Sequence, residues 1–144
     1  MQATIGLEFE GYWADRNSGG LPAASGIYCV YDGELQSTGQ VRLRKLIYIG
    51  ESADIRDRIA GHEKRSEWKR HLGPGGELYF SCAKAGMAER QRGEAAMIFQ
   101  HKPPVNVEYR NEFPFDDTTM ILNGETALLK TAFTVRRTSV RPRP

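Results

Sequence analysis

The sequence predicts an α+β fold with a small central antiparallel sheet of about three strands flanked by helices, plus extra N- and C-terminal strands. Alternating bulky residues in GIYCVYDG (26–33) and KLIYIGES (45–52) are typical of neighbouring strands joined by a long hairpin loop. A helix, a third strand and a second helix follow. This order indicates an α+β sandwich and not a wound parallel sheet.

The segments around this hairpin support the same order of elements. TIGLEFE (4–10) is one possible early strand, and a loop with glycine and proline follows it. After the hairpin, Ile55 and Ile59 form an apolar pair at helical spacing, and Ser52 suits the N-cap of that helix. GELYFSCA (76–83) predicts the third strand of the sheet.

The second main helix is expected from Met87 to about His101, because Pro103 and Pro104 cannot continue it. Residues 118–137 fit two strands with a turn near NGE, or a strand and a short helix. The sequence pattern does not choose between these alternatives.

Length and composition narrow the class of protein. A chain of 144 residues without repeats predicts a single domain, 1–144. No stretch approaches the ~20 apolar residues of a membrane span, so no membrane partner is expected. The first residues lack a signal-peptide pattern, which favours the cytoplasm. Cys29 and Cys82 have no zinc-finger spacing and are expected to be buried in strands.

The net charge is only +2, but the basic residues are concentrated in segments 62–76 and 130–144. An acidic stretch, 108–125, would then face away from a polyanion bound to the basic surfaces. Solvated loops and a frayed tail explain the same charges, so both interpretations stay open on charge alone. The residues expected to contact nucleic acid are Lys64, Arg65, Trp68, Lys69, Arg70, Arg136 and Arg137.

A carboxylate on an apolar helical face is the first candidate site residue. Glu94 shares a face with Met97, Ile98 and His101 at helical spacing, and this face should meet the core. An ion pair with Arg90, one turn earlier, would give this acid an ordinary role at the surface.

The order and spacing of six positions change this interpretation. They are Tyr28 in GIY (26–28), Tyr48 in YIG (48–50), Arg58, His62, Glu94 and Asn106. Together they resemble the motif set of the GIY-YIG nuclease family. By this resemblance, residues 25–106 form the catalytic core, and residues 1–24 and 107–144 are terminal extensions. The long spacing from Tyr28 to Tyr48 and the basic insert resemble the branch that contains type II restriction endonucleases.

The resemblance implies hydrolysis of phosphodiester bonds with one divalent metal, Mg²⁺ or Mn²⁺. Glu94 would supply the hard oxygen ligand for the metal, with water in most other positions. Arg58 would stabilise the phosphate, because its planar fork matches phosphate oxygens. Tyr28 is assigned as the base that activates water. A free tyrosine has a pKa of about 10 and needs nearby positive charge to act as a base near neutral pH, so His62 stays open as its partner or its rival.

Tyr48 and Asn106 are given supporting roles. Tyr48 would position the reacting groups, and Asn106 would orient Glu94 or hold the phosphate. The implied partner is DNA, most simply a duplex, and the protein would be a monomer or a homodimer. Two other functions remain open: a catalytically inactive nucleic-acid-binding module with the same fold, and a structure- or RNA-directed nuclease in which Trp68 stacks on unpaired bases.

Overall fold

The computed structural model describes residues 1–138, so the tail arginines Arg141 and Arg143 lie outside the described residues. The strands in this range are β1 (Ala3–Ala14), β2 (Gly26–Leu35), β3 (Val41–Ser52), β4 (Glu77–Lys84), β5 (Thr118–Gly124) and β6 (Ala132–Val135). The helices are α1 (Ile55–Ala60), α2 (Arg65–Lys69) and α3 (Met87–His101), with a 3₁₀ helix at Asp15–Gly20.

The described strands form one curled mixed sheet in the order β3-β2-β4-β1-β5-β6. β1 and β5 are parallel, whereas the other neighbouring pairs are antiparallel. The predicted fold class, a three-stranded antiparallel sheet flanked by helices, is therefore wrong. The reason is that β1 lies between β4 and β5, so the N-terminal strand and the two C-terminal strands belong to the same sheet as β2, β3 and β4. The helices α1 and α2 span only six and five residues and cover little of it.

The predicted hairpin is present, and its strands are longer than the sequence pattern indicated. β2 and β3 are antiparallel, with Tyr28 opposite Gly50 and Leu35 opposite Val41. Only residues 36–40 join them, so the loop is short and not long. The bounds predicted for the second main helix are confirmed by α3, and the two-strand alternative for the tail is confirmed by β5 and β6.

The helix α3 packs across one face of the sheet, over β2 and β3. Small residues let it approach closely, since a Cβ at Gly93 would lie 2.9 Å from Cδ1 of Ile27. The core on this face continues to Ile5 on β1 and Met120 on β5. The terminal strands therefore help to hold the helix that carries Glu94.

The short helices α1 and α2 pack on the opposite face of the sheet, against parts of β2, β3 and β4. Ile55 and Ile59 of α1 and Trp68 of α2 are fully buried there. The N-cap of α1 is Asp54 and not Ser52 as predicted, because the Asp54 carboxylate accepts a hydrogen bond from a main-chain N–H of the first turn at 3.1 Å.

The segment after α3 closes part of the exposed edge of β3. The N–H of Val105 donates to the carbonyl oxygen of Ile47 at 3.2 Å. The side chain of Asn106 accepts from the N–H of Ile49 at 3.0 Å and donates to its carbonyl oxygen at 2.9 Å. Because a sheet edge presents main-chain donors and acceptors that need partners, these bonds fix residues 105–109 beside β3.

The cysteines and the helices can be described directly. Cys29 and Cys82 are buried free cysteines in strands, as predicted. In residues 1–138, no helix has the length and hydrophobicity required to cross a membrane.

Candidate active site

The hairpin brings the two motif tripeptides together, and each glycine makes room for a neighbour. A Cβ at Gly50 would lie 2.4 Å from Cζ and Oη of Tyr28, so the tyrosine of GIY covers the glycine of YIG. A Cβ at Gly26 would lie 2.1 Å from the carbonyl oxygen of Ala83. Close packing across the sheet therefore couples the residues of the two tripeptides.

Replacing Gly50 with alanine is expected to destabilise the protein by about 1–3 kcal/mol, because the buried Tyr28 ring has no space into which it can retreat. Urea denaturation measures this change. Gly6→Ala is the matched control on β1, where a Cβ would meet nothing within 4 Å. Equal stability of Gly50→Ala and the unchanged protein would contradict the packing described here.

An aromatic cluster lies beside this contact and contains Tyr28, Tyr48, His62 and Trp68. The His62 ring is 4.5 Å from Trp68, 5.3 Å from Tyr48 and 6.3 Å from Tyr28, measured between ring centroids. These spacings are those of rings in direct contact. Both predicted tyrosines and the predicted histidine thus belong to one unit.

A pocket of about 180 Å³ opens where the aromatic cluster meets the edge of β3. Since β3 is an edge strand, side chains from α3, from the start of α2 and from residues 106–109 meet at this position. Three of the six motif residues and the predicted nucleic-acid contact Lys64 contribute to its wall, whereas Tyr28 and His62 are buried behind Tyr48. The polar residues of the wall are Tyr48, Lys64, Glu94, Asn106, Glu108 and Tyr109.

Glu94 is a partly buried acid with no ion-pair partner in residues 1–138. Burial, and then the charges of Glu51 and Glu108, raise its pKa to about 8, although a hydrogen bond from the Glu51 main chain opposes the shift. A carboxylate in this environment lacks a compensating positive charge near neutral pH.

The ordinary explanation for Glu94 was an ion pair with Arg90. Arg90 instead pairs with the carboxylate of Glu51 and donates to Oγ of Ser25 at 2.8 Å. The surface ion pair therefore does not account for the acid at position 94.

Arg58 reaches the aromatic cluster from α1 and is held by a carboxylate. Its guanidinium donates two hydrogen bonds to Glu63, at 2.7 and 2.9 Å. These bonds lower the pKa of Glu63 to about 2. Glu63 is largely exposed and occupies the fork in the way that two oxygens of a phosphate would.

His62 is buried, and its environment determines which nitrogen carries the proton. Its Nδ1 accepts a hydrogen bond from the main-chain N–H of Lys64 at 3.0 Å, so the neutral ring carries its proton on Nε2. Burial, and then the charge of Arg58, lower the pKa of His62 to about 4. Nε2 is buried without a hydrogen-bond partner in the described residues. This form of histidine is a donor at Nε2 and is not poised to act as a base.

The buried His62 predicts that stability falls with acidification. Because its pKa is lowered from 6.5 to about 4, the unfolded chain binds more protons in this interval. The His62 contribution to the free energy of unfolding, on the order of 3 kcal/mol, is therefore complete above pH 6.5 and is lost as pH falls toward 4. Urea denaturation across this range should show a shallower pH dependence for His62→Gln than for the unchanged protein. Parallel curves would contradict the prediction.

The two tyrosines differ in their access to the pocket. Tyr28 is 1% exposed, and burial raises its pKa well above the ordinary value. Tyr48 is partly exposed at the pocket wall, and burial, followed by Glu94, raises its pKa to about 12 while Arg58 opposes the shift. Tyr48 is therefore the tyrosine that water in the pocket can contact, whereas the sequence assigned water activation to Tyr28.

Asn106 lines the pocket, but its amide is committed to the main chain of Ile49 on both sides. Its described hydrogen bonds position the pocket wall and do not reach Glu94. The effect of Asn106 on Glu94 or on a phosphate is therefore indirect in this conformation.

The basic residues around α2 differ in their availability for a nucleic acid. Trp68 is fully buried, so its indole cannot stack on a base in this structure. Arg65 is held by two hydrogen bonds to Asp15, at 2.8 and 3.2 Å. Lys69 and Arg70 are exposed at the surface. The contacts expected from Arg65 and Trp68 are thus replaced by internal ones.

The predicted separation of acidic and basic segments is not observed near β6. Arg136 pairs with Asp117 at 3.0 Å, and Arg137 pairs with Asp116 at 2.7 Å. The acidic stretch therefore neutralises these two arginines and does not face away from them.

The side chains around the pocket offer few ligands for a divalent cation. In residues 1–138, no group of three or more histidine, cysteine or acidic residues is arranged to hold a metal ion. Glu94 nevertheless offers an unpaired carboxylate beside a pocket, which suits a magnesium ion that keeps most of its water ligands. The residues fit a largely hydrated ion held by Glu94 and do not fit a cage built from protein ligands.

When the chain is compared with protein-family models, curated proteins and solved structures, none matches it. The resemblance to the GIY-YIG nucleases accordingly stays a prediction, which rests on six motif positions.

Three residues of the site were not identified from the sequence. Glu63 follows His62 directly, and Glu108 and Tyr109 follow Asn106 within three positions, but no motif distinguishes them. Tyr109 has a φ of 65°, a left-handed conformation that is uncommon outside glycine, and it lines the pocket. Proximity to a motif residue was the available signal.

Proposed function

We propose that this protein is a metal-dependent DNA endonuclease of the GIY-YIG type, which hydrolyses phosphodiester bonds. The observation that carries the proposal is the shared pocket of Tyr48 and Glu94, with His62 in contact with Tyr48 in the aromatic cluster. Residues that are far apart in sequence supply an acid and a phenol to this pocket, and Arg58 lies close enough to Tyr48 to affect its pKa.

The residues of this chain then have distinct roles. Tyr48 lines the pocket and, after its own proton has passed to solvent, accepts the proton of the attacking water as the phenolate. Arg58 favours this phenolate, against the burial and the Glu94 charge that raise the pKa of Tyr48 to about 12. The water oxygen forms a bond to phosphorus, the bond to the leaving sugar oxygen breaks, and that oxygen takes a proton from solvent. Tyr28 and His62 hold the ring of Tyr48 in place through the aromatic cluster.

Arg58 stabilises the charge that builds on the nonbridging oxygens. A phosphate must first displace Glu63 from the guanidinium fork. Since Glu63 is largely exposed, water and salt screen its attraction to Arg58 and this exchange costs little.

Glu94 would hold the divalent cation, Mg²⁺ or Mn²⁺, in the pocket. When bound, the cation supplies positive charge that stabilises the leaving oxygen and the scissile phosphate. Glu94 also raises the pKa of Tyr48 while its carboxylate is charged and uncompensated.

The experiment that tests this function is an incubation of supercoiled plasmid with the protein and Mg²⁺, Mn²⁺ or EDTA, followed by electrophoresis. Nicking or linearisation with a metal and none with EDTA is expected. Binding of DNA without cleavage under every metal condition would favour an inactive binding module. Parallel reactions with single-stranded DNA and RNA identify the substrate, and cleavage of RNA alone would replace DNA in the proposal.

A further inference from the structure

In residues 1–138, Lys64 is the basic residue that lines the pocket with Glu94. The neighbouring cations have close internal partners, because Arg58 is held by Glu63 and Arg65 by Asp15. Lys64 makes only a distant pair, with its Nζ 3.9 Å from the carboxylate of Glu67. Its ammonium group is thus the pocket cation that a ligand can recruit at least cost.

The main chain at Lys64 is fixed independently of its side chain. Its N–H donates to Nδ1 of His62 at 3.0 Å, and its carbonyl oxygen accepts from the N–H of Trp68 at 2.9 Å. Both bonds persist when the side chain changes. Position 64 therefore holds the aromatic cluster through its backbone, and its side chain is not needed for those bonds.

The charge of the pocket explains why a cation is needed there. Glu94 and Glu108 lie on its wall, and Glu51 is close enough to raise the pKa of Glu94. These carboxylates repel an anionic phosphodiester that enters the pocket. A lysine on the same wall offsets this repulsion, and its flexible point charge can follow a phosphate oxygen as the charge on that oxygen grows.

We propose that Lys64 is a catalytic residue that binds a nonbridging oxygen of the scissile phosphate in the Glu94 pocket. This inference rests on the proposed function and adds a cation that the motif set does not contain. Arg58 of α1 and Lys64 at the start of α2 then both bind the phosphate.

The test compares Lys64→Gln with Lys84→Gln, which removes an equal charge from an exposed position of β4 outside the site. Lys64→Gln is expected to lower kcat/KM for plasmid cleavage about 100-fold, whereas Lys84→Gln changes it by less than about threefold. Lys64→Arg should restore most of the lost activity. Thermal unfolding of each variant should match the unchanged protein, since the backbone contacts to His62 remain.

A second measurement does not depend on cleavage. Calorimetric titration with inorganic pyrophosphate in EDTA is expected to show binding that Lys64→Gln weakens at least about tenfold and Lys84→Gln preserves. Equal effects of the two substitutions, or no pyrophosphate binding by the unchanged protein, would overturn the proposal. Binding specific to Lys64 without cleavage of any nucleic acid would support this inference and reject the proposed function. Cleavage that both substitutions reduce equally would support the proposed function and reject this inference.

Discussion

Replacing Glu94 with glutamine is expected to abolish metal-dependent cleavage, with a fall in kcat of at least about 1,000-fold. The amide keeps the shape of the side chain but is a poor ligand for Mg²⁺ because it carries no charge. Plasmid cleavage measures the loss, and filter binding of duplex DNA should be unchanged. Glu89→Gln, an exposed acid on the same helix, is the matched control. Cleavage by Glu94→Gln at the unchanged rate would show that the metal assignment is wrong.

The same substitution is expected to stabilise the metal-free protein. Since the pKa of Glu94 is raised from 4.5 to about 8, the folded state retains a proton that the unfolded state releases. The cost of Glu94 is therefore absent below pH 4.5, grows as pH rises and is complete above pH 8, where it is on the order of 5 kcal/mol. Urea denaturation in EDTA at pH 8 should show this gain for Glu94→Gln and not for Glu89→Gln. Addition of Mg²⁺ should stabilise only proteins that retain Glu94.

The second large effect is expected from Arg58→Lys, which should lower kcat about 100-fold with little change in KM. Lysine keeps the positive charge but cannot present two donors to a phosphate in the planar geometry that Arg58 presents to Glu63. Single-turnover cleavage at saturating DNA measures the chemical step. A wild-type rate for Arg58→Lys would show that the charge alone is sufficient.

Two further variants isolate the cause of this effect. Arg65→Lys alters an arginine that is bound to Asp15, so it should affect stability and leave kcat unchanged. Glu63→Gln weakens the competitor for the guanidinium and should lower KM by no more than about fivefold. A large loss of kcat in Glu63→Gln would mean that the pair itself, and not Arg58 alone, serves catalysis.

Local patterns in the sequence predicted the elements that bear the site. The β2–β3 hairpin and α3 follow from alternating bulky residues and from the stop at Pro103, which are short-range signals. The resemblance also implied that Tyr28, Tyr48 and His62 act at one site, and their rings are in contact in the structure. What these signals could not supply was the position of β1, since its pairing joins Ala3 to Thr118 across most of the chain.

The roles of individual charged and aromatic side chains were the least predictable part. Trp68 stands among cations in the sequence, which favours a role in nucleic-acid binding, but the turn of α2 directs it into the core. The sequence suggests that Arg136 and Arg137 are free cations. In the fold they pair with Asp117 and Asp116. Such pairings depend on tertiary contacts that neither composition nor spacing encodes.

The placement of β1 inside the sheet has a consequence for how the site can be divided or transferred. A fragment of residues 25–106 would contain every motif residue, yet it would leave β4 as an open edge and remove Ile5 and Met120 from beneath α3. Because Glu94 depends on that helix for its position, the motif set and its chemistry are not portable as a short segment. Folding should share this property: the hairpin can form early, but the acid is held in place only after the first and fifth strands have found each other.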